Sequence, residues 1–157
     1  MNTQRQNHLN DIALLMIRTV LAVVFIFHGG QMLFGLFGGH GLSATAAWMG
    51  SIGIPVPTFS ALAAGSTEFF GGIVLLLGVG ARIAAIPMTF NMIVAIVTAH
   101  LSAFDVRQGG MEYALTLAVV LAAIALMGPG SLTARRLLQA IRGAAVNSPS
   151  PATARTA

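Results

Sequence analysis

The sequence predicts an all-α membrane protein in which four apolar helices form a transmembrane bundle. Of its 157 residues, 56% are hydrophobic and only 8% are charged, whereas soluble domains carry about 25% charged residues. The mean hydropathy is +0.85, and several apolar runs approach the roughly 20 residues with which a helix crosses the hydrocarbon core of a bilayer. This composition excludes an ordinary water-soluble globule.

The four predicted spans are joined mostly by short connections. They cover about residues 12–34, 59–80, 83–104 and 111–127. Only a tight turn around Gly78, Gly80 and Arg82 fits between the second and third spans, so these helices are expected to be antiparallel neighbours. Residues 12–130 are therefore predicted to form the transmembrane domain, after a short N-terminal segment of residues 1–11.

The arginines predict the orientation of the chain. When they are assigned to alternate sides of the membrane, Arg107 stands alone against seven on the other side: Arg5, Arg18, Arg82, Arg135, Arg136, Arg142 and Arg155. Because positively charged residues concentrate on the cytoplasmic side, both termini are predicted to be cytoplasmic.

Two further helices are predicted outside the spans. In the first outer connection, residues 42–49 have Ser43 as a candidate N-cap and Trp48 as an interfacial anchor, which favours a short helix along the headgroups; a re-entrant hairpin is the alternative. After Gly128-Pro129-Gly130, residues 131–141 have the pattern of a cytoplasmic amphipathic helix. The remaining tail, residues 147–157, has the composition of a disordered segment.

Polar residues inside the spans are the best candidates for a functional site, because ionisable groups in hydrocarbon need a partner or a polar cavity. At a rise of about 1.5 Å per residue, His28, Glu68 and His100 fall in the outer halves of the first three spans. Glu112 enters the fourth span from the same side, and Gln31 follows His28 in the first. The convergence of these groups predicts a polar pocket in the outer half of the bundle.

Glu68 is the deepest acid, and the sequence offers two partners for it. Its neighbours at helical spacing are small, which allows another helix to approach closely: Ala61, Ala64, Gly65 and Gly72. The partners are Arg18, whose long side chain starts deeper, and His28, which lies nearer the outside. Such a pair would either stabilise the packing of the helices or form a site for a proton or a ligand. The sequence leaves both interpretations open.

Metal and haem sites receive little support. Haem ligation would use His28 with His100, but two histidines of matched depth are weak evidence for haem. Zinc would need the same histidines with Glu68 and Glu112, and no local ligand spacing indicates it. The chain has no cysteine, catalytic triad or nucleotide loop, so an autonomous enzyme is not expected. Scattered arginines without a binding motif also argue against nucleic acid.

Several elements occur in a recognisable order: Arg18, His28-Gly29 with Gln31, Pro55 with Pro57, Glu68 followed by Gly71-Gly72, Leu77-Gly78 with Arg82, Glu112, and Gly128-Pro129-Gly130. This order resembles the DoxX family of DoxX- and DoxD-like small integral membrane proteins, over about residues 12–136. The chain departs from the family at two positions. Gln31 stands where members often have lysine, and Thr133 where aspartate often follows.

The resemblance implies a four-helix protein of the bacterial cytoplasmic membrane with a link to redox metabolism, since related proteins include a membrane subunit of an archaeal thiosulfate:quinone oxidoreductase. The leading hypothesis is an accessory subunit of a membrane redox system. Its pocket would receive a quinone headgroup or exchange a proton. Glu68 would accept the proton, His28 would hydrogen-bond a quinone carbonyl, and Arg18 would keep Glu68 ionised.

Two other classes of function remain open. A scaffold would recruit a soluble partner through residues 135–142 and the tail. A small transporter or channel would need oligomerisation, because four spans without a repeat or a broken helix pair are few for transport. Besides the bilayer, the candidate partners are a redox protein and further copies of the chain.

Overall fold

The structure, a computed structural model, describes residues 3–146, and all regular structure in this range is helical. The predicted all-helical class is therefore confirmed for these residues, whereas the predicted disordered tail lies outside them. The six helices are α1 (Thr3–Phe34), α2 (Gly41–Ser51), α3 (Pro57–Leu77), α4 (Ala81–Ala95), α5 (Glu112–Met127) and α6 (Ala134–Val146). A π-helical turn, Ile96–His100, continues α4.

Three helices are long and apolar enough to cross a membrane: α1, α3, and α4 together with its π-helical turn. α1 begins at Thr3, before the apolar run, because residues 3–11 contain neither proline nor glycine to interrupt a helix. α5 has 16 residues and is about 24 Å long at 1.5 Å per residue. Its role as a fourth span stays a prediction.

The long helices pack in chain order, α1 against α3, α3 against α4, and α4 against α5. Glycines allow α1 and α3 to approach closely, as the small face around Glu68 indicated. A Cβ atom at Gly72 would lie 2.9 Å from Cγ1 of Ile26, and one at Gly29 only 2.4 Å from the backbone nitrogen of Phe69. At these positions a side chain would push the two helices apart.

We expect Gly29→Ala to lower the free energy of unfolding by about 1–3 kcal/mol, the cost of overpacking a well-packed site. Thermal unfolding in detergent measures the change. Gly143→Ala is the matched control, since no atom lies within 4 Å of a Cβ there and alanine favours a helix. Equal losses of stability in the two variants would contradict the close contact between α1 and α3.

α2 lies across the ends of α1 and α3. Its buried residues Ala46 and Met49 pack with Ala61 of α3, and Thr45 Oγ1 donates to the carbonyl of Met32 at 3.2 Å. The helix begins at Gly41, so the predicted N-cap at Ser43 is wrong. The positive φ of Gly41, 76°, allows the chain to turn into the helix directly after His40, which takes the N-cap position three residues earlier. The location of α2 in the headgroup layer stays a prediction.

The opposite end of the molecule, which we call the arginine-rich end, contains the start of α1, the α3–α4 turn and the link from α5 to α6. The backbone nitrogen of Ser131 donates to Asp11 Oδ1 at 2.7 Å, and the Ser131 hydroxyl donates to Asp11 Oδ2. These contacts hold Ser131 against α1. For this reason α6 begins at Ala134, three residues later than the predicted amphipathic helix.

Candidate functional site

A cavity of about 560 Å³ lies between α1, α3, α4 and α5 in the half of the molecule next to α2. Apolar residues form most of its wall, including the small or aromatic Ala63, Ala64, Phe90 and Ala95, and Trp48 of α2 borders it. The larger of the two buried apolar clusters includes Leu75 of α3 and Ile124 of α5, near the arginine-rich end. Apolar side chains thus fill the space between the helices near the arginine-rich end, whereas the cavity remains between them in the half next to α2.

Glu68 is the buried acid of this cavity. It lies on the face of α3 that contacts α1, and only 7% of its surface is exposed. Asn91 of α4 donates a hydrogen bond from Nδ2 to Glu68 Oε1 at 3.0 Å. The carboxyl group is therefore held between two helices and borders the cavity, rather than facing lipid.

His28 and Tyr113 also line the cavity, from α1 and α5. Their ring centres are 6.5 Å apart and the rings are tilted by 57°. Neither side chain is buried, since Tyr113 is 44% exposed and His28 is also exposed. A molecule in the cavity would therefore meet an imidazole and a phenol as well as the carboxyl group of Glu68.

His100 reaches the cavity from the π-helical turn. Its Nδ1 lies 2.8 Å from the carbonyl oxygen of Gly109, and because a carbonyl only accepts, Nδ1 donates this hydrogen bond. The neutral ring then has an acceptor at Nε2. π-Helical turns are rare and often mark functional positions. Here the turn places Thr98 and Ala99 beside His100 in the cavity wall.

Arg18 does not pair with Glu68, contrary to one of the two pairings expected from the sequence. It is fully buried at the arginine-rich end, where Nη1 donates to the carbonyl of Leu75 at 3.2 Å and Nη2 to that of Leu132 at 2.6 Å. Leu75 belongs to the last turn of α3, whose carbonyls lack helical N–H partners. These acceptors explain why the guanidinium turns away from the cavity.

Gln31 and Glu112 also lie outside the cavity wall. Gln31 Nε2 donates to the carbonyl of Phe37 at 3.2 Å, where the chain turns back after α1. Glu112 Oε1 accepts from the backbone nitrogen of Val106 at 3.0 Å and so holds the loop before α5. Of the six predicted pocket residues, the cavity thus brings together His28, Glu68 and His100.

The residues considered for a metal do not assemble. Because Glu112 bonds to its own loop, it does not join Glu68 and the two histidines as the zinc hypothesis required. Over residues 3–146, no three histidine, aspartate or glutamate side chains form a group that could hold a metal ion.

The DoxX family model matches residues 13–101, which is more than half of the chain. The chain belongs to the DoxX family. Its spanning helices and its family together identify it as an integral membrane protein.

A curated relative of this DoxX-family protein is "Putative oxidoreductase CatD" of Bacillus subtilis (strain 168). The two are 28% identical over 107 residues, which cover 68% of this chain and 74% of the relative. No solved structure matches the chain. The match includes most of both chains.

Two functional residues were not assigned to the pocket from the sequence. Asn91 lies on a polar, small stripe with Ala95 of α4 and Thr98 of the π-helical turn, a spacing suited to interhelical hydrogen bonds that does not identify Glu68 as the acceptor. Tyr113 gave no signal, because it follows Glu112 at the start of an apolar helix. Only the three-dimensional arrangement brings its ring to His28.

Replacing Asn91 with leucine should lower the free energy of unfolding of this DoxX-family protein by about 1–3 kcal/mol, because a buried carboxyl group loses its donor. Denaturation of the protein in detergent measures the loss. The double variant Glu68→Leu with Asn91→Leu removes both polar groups and should lose less than the sum of the single variants. Strictly additive losses would show that the two side chains do not interact.

Proposed function

We propose that this DoxX-family protein is an accessory subunit of a membrane redox system, and that the cavity around Glu68 binds the headgroup of a quinone. The observation that carries the proposal is a mostly apolar cavity of about 560 Å³ whose wall includes one buried carboxyl group, that of Glu68, and the imidazoles of His28 and His100. The name of the Bacillus relative, which describes an oxidoreductase, supports the redox assignment.

The size and lining of the cavity suit a quinone. Small-molecule sites are typically about 300–1,000 Å³, mainly apolar, with a few placed polar groups that orient the ligand. Small residues such as Ala63 and Ala64 leave room for a flat ring, and the exposed aromatic residue Phe90 borders it. A lipid-soluble molecule also has direct access to a cavity between membrane helices.

The polar groups divide the chemistry between them. His28 donates a hydrogen bond to a quinone carbonyl from whichever ring nitrogen carries the proton. Glu68 accepts a proton from a hydroquinone hydroxyl, and Asn91 fixes the carboxyl group for this contact. Oxidation of the hydroquinone to the quinone releases two electrons and two protons. Glu68 takes one proton, the second passes to water, and both electrons pass to a redox group of a partner protein. The subunit would then bind the hydroquinone and accept a proton from it, while the partner protein accepts the electrons.

The side of the membrane follows from the arginine count. If the arginine-rich end faces the cytoplasm, as the positive-inside rule predicts, the cavity lies in the outer half of the cytoplasmic membrane. A proton released from Glu68 would then leave toward the outside.

The single tryptophan of the chain allows a direct binding test, because Trp48 borders the cavity. Titration of the purified protein with a short-chain ubiquinone should quench Trp48 fluorescence to a saturating level. In the double variant Trp48→Phe with Ile141→Trp, the indole moves to the exposed face of α6 beyond the arginine-rich end, far from the cavity, and quenching should become linear and non-saturating. Linear quenching in the wild-type protein would refute a specific site.

A further inference from the structure

α6 has two chemically distinct faces, and the Asp11 carboxyl group of α1 interacts electrostatically with one of its arginines, Arg136. At 3.6 residues per turn, one face contains Leu137, Leu138 and Ile141, which are 63%, 55% and 57% exposed. The arginines occupy the other side of the helix: Arg135, Arg136 and Arg142. Residues 113–146 contain no acidic residue. Among residues 3–146, none covers the apolar face of α6, and arginines flank it.

The start of α6 is fixed at the arginine-rich end, where helices that cross the membrane begin or end. Only residues 128–133 separate it from α5. Within this link, the backbone nitrogen of Ser131 bonds to Asp11 and the carbonyl of Leu132 accepts from the buried guanidinium of Arg18. Because the link is held to α1 at two successive residues, α6 emerges at the level of the bilayer surface.

The base of α6 also offers donors for a phosphate group. A cavity of about 410 Å³ separates α6 from the α3–α4 turn. Arg135, Arg136 and Gln139 line its α6 side, and the backbone of Gly78 and Gly80 lines the other. Guanidinium groups bind phosphate oxygens through paired hydrogen bonds, so the charge of this cavity is complementary to a phospholipid headgroup.

We propose that α6 lies along the surface of a bilayer that contains anionic phospholipid. Leu137, Leu138 and Ile141 enter the boundary of the acyl chains, and the three arginines contact lipid phosphates. Amphipathic helices with this distribution of charge bind membranes in this manner. The occupant of the apolar face is then the bilayer to which the protein already belongs, rather than a soluble protein or a second copy of the chain.

The absence of cysteine gives a clean test with full-length protein, since any introduced thiol is unique. A nitroxide label at Leu138→Cys reports the apolar face, and one at Gln139→Cys, the next residue, reports the polar face. Both positions are exposed, so labelling leaves the packing of the helices intact. The labelled proteins are placed in nanodiscs of phosphatidylcholine, with or without phosphatidylglycerol, and collisions with oxygen and with a water-soluble nickel chelate are measured.

With phosphatidylglycerol present, the ratio of oxygen to nickel collisions should be several-fold higher at position 138 than at 139. Changing Arg135, Arg136 and Arg142 to glutamine should bring the two values together. Equal ratios in the wild-type background would overturn the proposal and leave the face to a soluble partner. The same value at position 138 with and without phosphatidylglycerol would overturn the role of anionic lipid. Close spin–spin contacts between labels at position 138 would assign the face to a second copy and also overturn the proposal.

Discussion

Replacing Arg18 with methionine is expected to lower the free energy of unfolding by about 3 kcal/mol. The side chain is fully buried and donates to the carbonyls of Leu75 and Leu132, and each buried carbonyl left without a donor costs about 1–3 kcal/mol. Methionine keeps most of the volume and removes the donors. Because Leu132 belongs to the link before α6, the same variant should accelerate hydrogen exchange in residues 131–134.

Arg82→Met provides the control for this prediction. Arg82 also donates to a helix-end carbonyl, that of Leu126 at 2.9 Å, but it is exposed, so water replaces the lost donor. We expect a loss of about 1 kcal/mol or less. Thermal unfolding in detergent compares the two variants. If Arg82→Met were as damaging as Arg18→Met, burial would not explain the contribution of Arg18.

Glu68→Gln is expected to weaken the binding of a hydroquinone about 10- to 100-fold, with little effect on the oxidised quinone. A hydroxyl that donates to a carboxylate forms a charge-assisted hydrogen bond worth about 1.5–3 kcal/mol, and each 1.4 kcal/mol is about tenfold in affinity. Glutamine has nearly the same volume, so the cavity keeps its shape. In the proposed complex, a carbonyl of the oxidised quinone bonds to His28 and would not be affected directly.

Quenching of Trp48 under anaerobic conditions measures both affinities. Gln31→Ala serves as the control, because Gln31 was a predicted pocket residue whose amide bonds to Phe37 outside the cavity. It should leave both affinities unchanged. A Glu68→Gln variant that binds hydroquinone as tightly as the wild-type protein would show that the carboxyl group does not contact the ligand.

The depth of each polar residue could be predicted from the sequence, because the rise of a helix fixes the level of every side chain along its axis. This arithmetic placed His28, Glu68 and His100 in one half of the bundle, and all three line the cavity. Hydropathy likewise identified the apolar helices α1, α3 and α4. Both predictions depend only on properties that are local in the sequence.

The direction in which each side chain points could not be predicted in the same way. Arg18 was close enough in depth to reach Glu68, but free carbonyls at the end of α3 and in the α5–α6 link bind it instead. Glu112 has the expected level and turns to the nitrogen of Val106 in its own loop. In each case a backbone group that comes close only in the folded chain forms the hydrogen bond with the side chain. The sequence alone does not show which backbone group this will be.

Solvent extraction of the purified protein shows whether the cavity around Glu68 holds a quinone. The protein is isolated from bacterial membranes in mild detergent, extracted with organic solvent, and the extract is examined for an absorbance that disappears on reduction with borohydride. We predict a quinone signal close to one molecule per protein from the wild type and a much smaller signal from Glu68→Gln. Extracts without quinone from both proteins would contradict the account.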